Sequence, residues 1–161
     1  AETLQDLAHI RFLFVGAGAE RTFLVEEARR RKLKNVIFVS SKPKEEMRRF
    51  WSLCDLALVH LRDSITFSEV LPSKLFEAMA MGIPILLVSP NGEASNLVEQ
   101  LGVGKWVPAG RPGELAEKVV YLYNNTNILK NFSNSCIEKV PEFTRQAQAK
   151  KMIDLLETLL E

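Results

Sequence analysis

A chain of 161 residues that is 47% hydrophobic and 25% charged has the length and composition of one soluble globular domain with a substantial core. Its net charge of +1 argues against sequence-independent nucleic-acid binding, which needs a clear basic excess. No apolar run is long enough to span a bilayer, and no signal peptide is read.

Two cysteines, Cys54 and Cys136, make no disulfide framework, so both are expected to be reduced and at least half buried. His9 and His60 have no partner at zinc-ligand spacing, and no metal site is predicted. A reducing, cytoplasmic setting follows as the default. Basic residues cluster at Arg29 to Lys32 and at Lys42 to Arg49; Glu45 and Glu46 interrupt the second cluster, which reads as a solvated helix face.

The chain opens at Ala1 within a helical pattern (Leu4, Leu7, Ala8), and a fragment of a longer protein is expected. Ile10 to Val15 is nearly unbroken apolar sequence, the mark of a parallel strand buried on both faces. Gly16-Ala17-Gly18 turns into a helix through Phe23, Leu24 and Ala28. Val36 to Val39 is a second strand, Lys44 to Leu53 a helix, and Leu56 to Val59 a third strand. After a polar stretch through His60, Arg62, Asp63 and Ser68 comes a helix opening at Pro72, then the strand Ile85 to Val88. Ser89-Pro90-Asn91-Gly92 turns into a helix through Leu97 and Val98, and Gly104 to Val107 is a short strand. A helix starts near Pro112, and the remainder is helical with breaks at Asn124-Asn125 and Pro141.

Strands separated by single helices predict an α/β domain: a Rossmann-like parallel sheet flanked by helices, with right-handed crossovers. Ligands of such sheets lie beyond the carboxyl ends of the strands. Gly16, Ser40, His60, Ser68 and Ser89 all follow strands, and the Pro72 helix opens on the same rim.

The most informative run is Glu69 to Pro84. At about 100° per residue, Leu75, Phe76 and Met79 form the core face, with Ser73, Lys74, Glu77 and Met81 on the other side. Ala78 and Gly82, four apart, allow another element to approach closely. First-turn amides lack intrahelical partners and carry the positive end of the helix dipole. Ser73 adds a hydroxyl and Lys74 a full charge, which suits a pyrophosphate. Glu77, one turn deeper, can accept hydrogen bonds from paired sugar hydroxyls, and Glu69 can face a sugar beyond the phosphates. The same residues are also compatible with helix capping and solubility, and the glutamate spacing alone proves nothing.

The segment Leu71-Pro-Ser-Lys-Leu-Phe-Glu-Ala-Met-Ala-Met-Gly-Ile-Pro84 closely resembles the signature of retaining GT-B glycosyltransferases of family 4, in which two glutamates separated by seven residues precede an Ala-Met-Ala-x-Gly-x-Pro stretch. Arg11 to Glu20 resembles the family's strand and glycine turn, Asn35 to Val39 its base-side strand, and Cys54 to Val59 the strand before the motif. Gly92-Glu93, Leu97 to Glu99, Gly102 to Gly104 and Val107-Pro108 resemble its closing segment.

The resemblance covers nearly the whole chain. It implies that residues 1–161 are the nucleotide-sugar domain, the C-terminal half of a GT-B architecture lacking its N-terminal acceptor domain. Glu77 would bind the donor's ribose and Glu69 the transferred sugar. Ser73 and Lys74 amides, with Pro72 and Leu75 around them, would hold the diphosphate. Backbone around Ser41 and Lys42 would meet the base, and Gly16, Gly18 and Gly92 would supply the turns. The donor is expected to be UDP-linked and the acceptor a glycan or lipid-linked sugar in polysaccharide or glycolipid assembly. No metal or other cofactor is implied. A peripheral position at the inner face of the plasma membrane would come through the N-terminal domain.

Many family members carry Gly where this chain has Pro72, and Pro removes one amide. The Pro-Ser-Lys form resembles a subset acting in bacterial surface polysaccharide assembly. The family's Arg and Lys pair, which neutralises the leaving diphosphate, has no match before Ile10; Arg11 sits within the strand. The isolated chain is therefore expected to bind donor weakly and to turn over nothing.

Other classes remain. Gly16-Ala17-Gly18 supplies the first part of a dinucleotide fingerprint, but Phe23, Leu24 and Val25 occupy the neighbourhood of its third glycine. The second strand ends in Ser40-Ser41-Lys42 rather than an acidic residue, which disfavours an NAD-dependent oxidoreductase. A nucleotide-sugar epimerase of the same architecture is another reading. A non-catalytic interaction module is suggested by Phe132, Phe143, Met152, Ile153, Leu155, Leu156, Leu159 and Leu160. Core packing is expected to account for most of these, and docking onto an N-terminal domain for the rest.

Overall fold

The computed structural model describes residues 1–159; Leu160 lies outside them. A 3-10 turn, Glu2–Leu4, leads to β1 (Phe12–Val15), α1 (Arg21–Arg30), β2 (Val36–Val39), α2 (Lys44–Trp51) and β3 (Ala57–His60). A 3-10 segment, Ile65–Glu69, precedes α3 (Ser73–Ala80), β4 (Ile85–Ser89), α4 (Glu93–Gln100) and β5 (Gly104–Pro108). Then follow α5 (Pro112–Asn124), α6 (Thr126–Lys139), a 3-10 turn at Val140–Phe143, and α7 (Arg145–Thr158).

The strand pairing is entirely parallel, as the alternation of strands and helices requires. The strands form two sheets rather than the expected single one: β1 pairs with β2, and β3–β4–β5 form a separate three-stranded sheet. β4 is the centre of the larger sheet and is buried at all five positions, which explains its unbroken Ile-Leu-Leu-Val sequence. On one face Ala57, Val59, Ile85 and Leu87 pack with Leu75, Ala78 and Met79 of α3 and Ala94 and Val98 of α4. On the other face Leu86, Val88 and Val107 meet Leu115 and Val119 of α5. Val119 also packs against the cluster of Leu4, Ile10 and Ala116 beneath β1. A single helix thus covers parts of both sheets.

Three expectations need correction. The opening helix is one 3-10 turn, because Leu4 and Gln5 bond back three residues, to Ala1 and Glu2. The first strand begins at Phe12, where pairing to Asn35 starts; Ile10 is buried below it against Leu4 and Ala116. α7 buries no residue, so Met152, Ile153, Leu155, Leu156 and Leu159 are exposed rather than core. Phe143, by contrast, is half-buried and stacks on Phe76 with ring centroids 5.1 Å apart.

Candidate functional site

α3 opens the candidate site. Pro72 stands just before the helix as its N-cap, in extended conformation (φ −71°, ψ 136°), so its missing amide falls outside the first turn. Its carbonyl accepts from the Leu75 amide at 3.0 Å. Among the described residues, the amides of Ser73 and Lys74 make no turn or loop hydrogen bond, and they lie at the positive end of the helix. Ser73 and Lys74 are exposed, whereas Leu75 is fully buried and anchors the helix in the core.

Glu77 is exposed, and its Oε1 accepts from Ser73 Oγ at 3.4 Å, a long bond that inclines the carboxylate toward the opening of the helix. One expectation fails on this helix: Met81 is half-buried against the core. It is the C-cap, with φ −94° and ψ 1°, and there the 100° rotation no longer applies.

The exit from α3 is clamped by α6, which no local pattern announced. Gly82 takes φ +66°, and a Cβ there would lie 3.1 Å from Ile137 Cδ1. Ser133 Oγ donates to the Gly82 carbonyl at 2.6 Å. Cys136 Sγ approaches the Ile83 and Val103 carbonyls at 3.5 and 3.6 Å. Burial pushes this thiol up to about 11. The close approach expected at Gly82 is thus filled by α6.

Glu69 ends the 3-10 segment that precedes α3 and is exposed. That segment rests on the start of α4: a Cβ at Gly92 would lie 2.0 Å from the Ser68 carbonyl oxygen. The Ser95 hydroxyl accepts from the Gly92 amide at 2.8 Å and holds the turn. Close packing therefore accounts for glycine at 92. Ser89 is wholly buried, and its carbonyl accepts from Ala109 and from Trp106 Nε1.

Gly16, Gly18, Ser41 and Lys42 belong to the other sheet. The Gly16 amide donates to the Val39 carbonyl at 3.2 Å, tying the end of β1 to the end of β2. Gly16 has φ +143°, and neither Gly16 nor Gly18 has an atom within 4 Å of a Cβ position. The turn is thus open above the strand. Ser41 is exposed and Lys42 half-buried. The predicted site residues therefore divide between the ends of two sheets.

Two surface cavities lie nearby. One of about 180 Å³ is lined by His60, Val88, Gly110, Arg111, Pro112 and Leu115, beside the rim on the α5 side. A larger one of about 520 Å³ runs between β5 and α5 and includes no residue of the α3 opening. His9 stacks on Tyr123 at 5.6 Å. Among the described residues no group of three or more His, Cys, Asp or Glu could hold a metal ion, and no helix is long and apolar enough to cross a membrane. Within the Arg29 to Lys32 cluster, Arg30 and Arg31 both bond Glu27, which holds that carboxylate well down, at about 2.

The profile of the family Glycosyl transferases group 1 matches residues 1–143. The chain belongs to this family. A similar curated protein is the probable glycosyltransferase WbjE of Pseudomonas aeruginosa, 30% identical over 109 residues, which are 67% of this chain and 27% of WbjE. Among solved structures, sucrose-phosphate synthase from Thermosynechococcus elongatus is 22% identical with a TM-score of 0.75, over 99% of this chain and 42% of that one. Anabaena HepE, solved in complex with UDP, is 20% identical with a TM-score of 0.75, over 92% of this chain and 41% of HepE. This member of the family spans about a quarter of its curated relative and about two fifths of those solved glycosyltransferase-fold chains.

Proposed function

We propose that this chain is the donor-holding domain of a retaining glycosyltransferase that moves a sugar from a nucleoside diphosphate, UDP-linked, to a glycan or lipid-linked acceptor in polysaccharide or glycolipid assembly. The observation that carries the reading is the opening of α3. There, two amides without turn or loop partners among the described residues, the Lys74 side chain and a carboxylate inclined by Ser73 all come from residues 73–77. Amides and ammonium suit the diphosphate. Glu77 would accept from the two hydroxyls of the adjoining ribose, and Glu69 would meet the transferred sugar.

Support for UDP comes from HepE, solved with UDP and glucose. The solved WaaG, 17% identical, is described as involved in lipopolysaccharide biosynthesis. Pro72, as N-cap, leaves the Ser73 and Lys74 amides in place, so the Pro-Ser-Lys form is compatible with diphosphate binding. Ser41 and Lys42 would meet the base, with Gly16 and Gly18 keeping the turn beside it open. The α3 opening and Lys74 would take charge of the diphosphate directly, so no metal is invoked.

The chain carries one wall of the site. The exposed apolar residues of α7 are assigned to the contact with that domain. By itself the chain binds donor weakly and transfers nothing. Its two free thiols fit a reducing, cytoplasmic compartment.

Sugar transfer by the parent enzyme tests the assignment. Glu77→Gln should raise the KM for the donor, and Glu69→Gln should lower kcat by about 10²-fold or more, as loss of an electrostatic contact at the reacting sugar would. Wild-type kinetics in both variants would refute it.

A further inference from the structure

Glu69 is exposed, so its direction is set by the backbone that carries it rather than by packing around its side chain. Toward α3 that backbone is an extended link, with Val70 at φ −102°, ψ 130° and Pro72 at φ −71°, ψ 136°. On the other side the 3-10 segment Ile65–Glu69 is braced within itself. The Phe67 amide donates to the Ser64 carbonyl at 3.0 Å, and Ser68 Oγ donates to the Ile65 carbonyl at 2.6 Å. The segment is seated on α4 where the Ser68 carbonyl oxygen meets Gly92, so closely that no Cβ fits between them.

Gly92 is in turn held at both of its polar backbone atoms from within α4. Its carbonyl accepts from the Asn96 amide at 3.0 Å. Its amide donates to Ser95 Oγ at 2.8 Å. The Ser95 hydroxyl gives its own proton to the Gly92 carbonyl, 2.8 Å away, or to Asn91 Oδ1 at 3.1 Å. Ser95 is 2% exposed, and a buried hydroxyl costs stability unless it is paired. Here every pairing it makes is with the Asn91-Gly92 turn.

We propose that Ser95 is a positioning residue for Glu69: its buried hydroxyl locks the Gly92 seat, and the seat fixes the 3-10 segment that presents the carboxylate. The inference rests on Glu69 meeting the transferred sugar, as proposed above. Glu77 and the Ser73 and Lys74 amides hang instead from α3, which fully buried Leu75 anchors in the core. Donor binding and sugar transfer should therefore respond differently to loss of the Ser95 hydroxyl. A serine that only capped α4 would lower the unfolding midpoint and leave the kinetics of the folded enzyme unchanged.

Sugar transfer by the parent enzyme is measured well below the unfolding midpoint for wild type, Ser95→Ala, Glu69→Gln and the double variant. Ser95→Ala should lower kcat by about 10-fold, part of the loss that about 1 Å of misplacement brings, and change the donor KM by less than about 2-fold. In the Glu69→Gln background it should change kcat by less than about 2-fold, because residues acting through one contact are not additive. If Ser95→Ala does not fold, Ser95→Cys, which fills the site with a weakly accepting sulfur, takes its place with the same expectations. Wild-type kcat in the Ser95 variant, with Glu69→Gln impaired, would overturn the inference and leave the role of Glu69 standing. An equal loss in both backgrounds would also overturn it, since Ser95 would then act by another route. Wild-type kcat in Glu69→Gln would overturn the reading of the site itself, and the inference with it.

Discussion

Gly92→Ala probes how the site is held. At Gly92 the backbone is extended, with φ 167°, so any residue can adopt it and no backbone strain arises. Space is the obstacle. A Cβ would lie 2.0 Å from the Ser68 carbonyl oxygen, and ordinary contact begins near 3.4 Å, so the two backbones must separate by about 1.4 Å, the difference of those distances. Neither partner is the flexible end of a side chain. Overpacking of this kind costs about 1–3 kcal/mol.

Ser68 adjoins Glu69, so the displacement passes directly to that carboxylate, and about 1 Å of misplacement at a reacting centre can cost 10²-fold. Gly113→Ala is the matched control: it lies inside α5 with nothing within 4 Å of its Cβ position, and should stabilise by about 0.4–1 kcal/mol. Urea denaturation of the two variants, with sugar transfer by the parent enzyme, reads both effects. A Gly92→Ala protein as stable and active as wild type would refute the packing argument.

Gly82→Ala should destabilise by about 1–2 kcal/mol, the cost of a left-handed residue. Ile137 is exposed and can move aside, so Ile137→Ala should not rescue it in the same denaturation assay. Cys136, with its thiol at about 11, should be unreactive toward a disulfide reagent at pH 8 until the protein unfolds, because only the thiolate reacts; Cys54, half-buried, should label first. Glu27 should titrate near 2 by carboxyl NMR and move toward 4.5 in Arg30→Ala/Arg31→Ala. Its folded value is depressed, so its contribution to stability is present above pH 4.5 and is lost as the pH falls toward 2. As an exposed pair it should weaken with salt.

Much of the fold was legible because each strand is an apolar run and each helix has a periodic face. Ile85 to Val88 announced a strand, and Leu75 and Met79 announced the face on which α3 packs. Burial on both faces was expected instead of Ile10 to Val15, whose strand Phe12–Val15 has no fully buried position, while the central β4 is buried throughout. Strand order was not legible, because alternation of strands and helices is the same whichever neighbours pair. The clamp of Ser133, Cys136 and Ile137 on the α3 exit was hidden by a sequence separation of about fifty residues. Met81 went astray because periodicity stops at a C-cap. The exposed residues of α7 looked like core because apolar composition does not say which surface covers it. In the site, the types and spacing of Ser73, Lys74 and Glu77 suggested anion and hydroxyl binding. The packing of Gly92 on Ser68 joins residues more than twenty apart and leaves no local pattern.

The most direct test of the account is titration of a UDP-sugar into the isotopically labelled chain, followed by NMR. The account predicts weak, saturable shifts at the Ser73, Lys74 and Glu77 amides, with smaller ones at Ser41 and Lys42. The absence of shifts at the α3 opening at millimolar ligand, or shifts there with NADH and none with UDP, would contradict it.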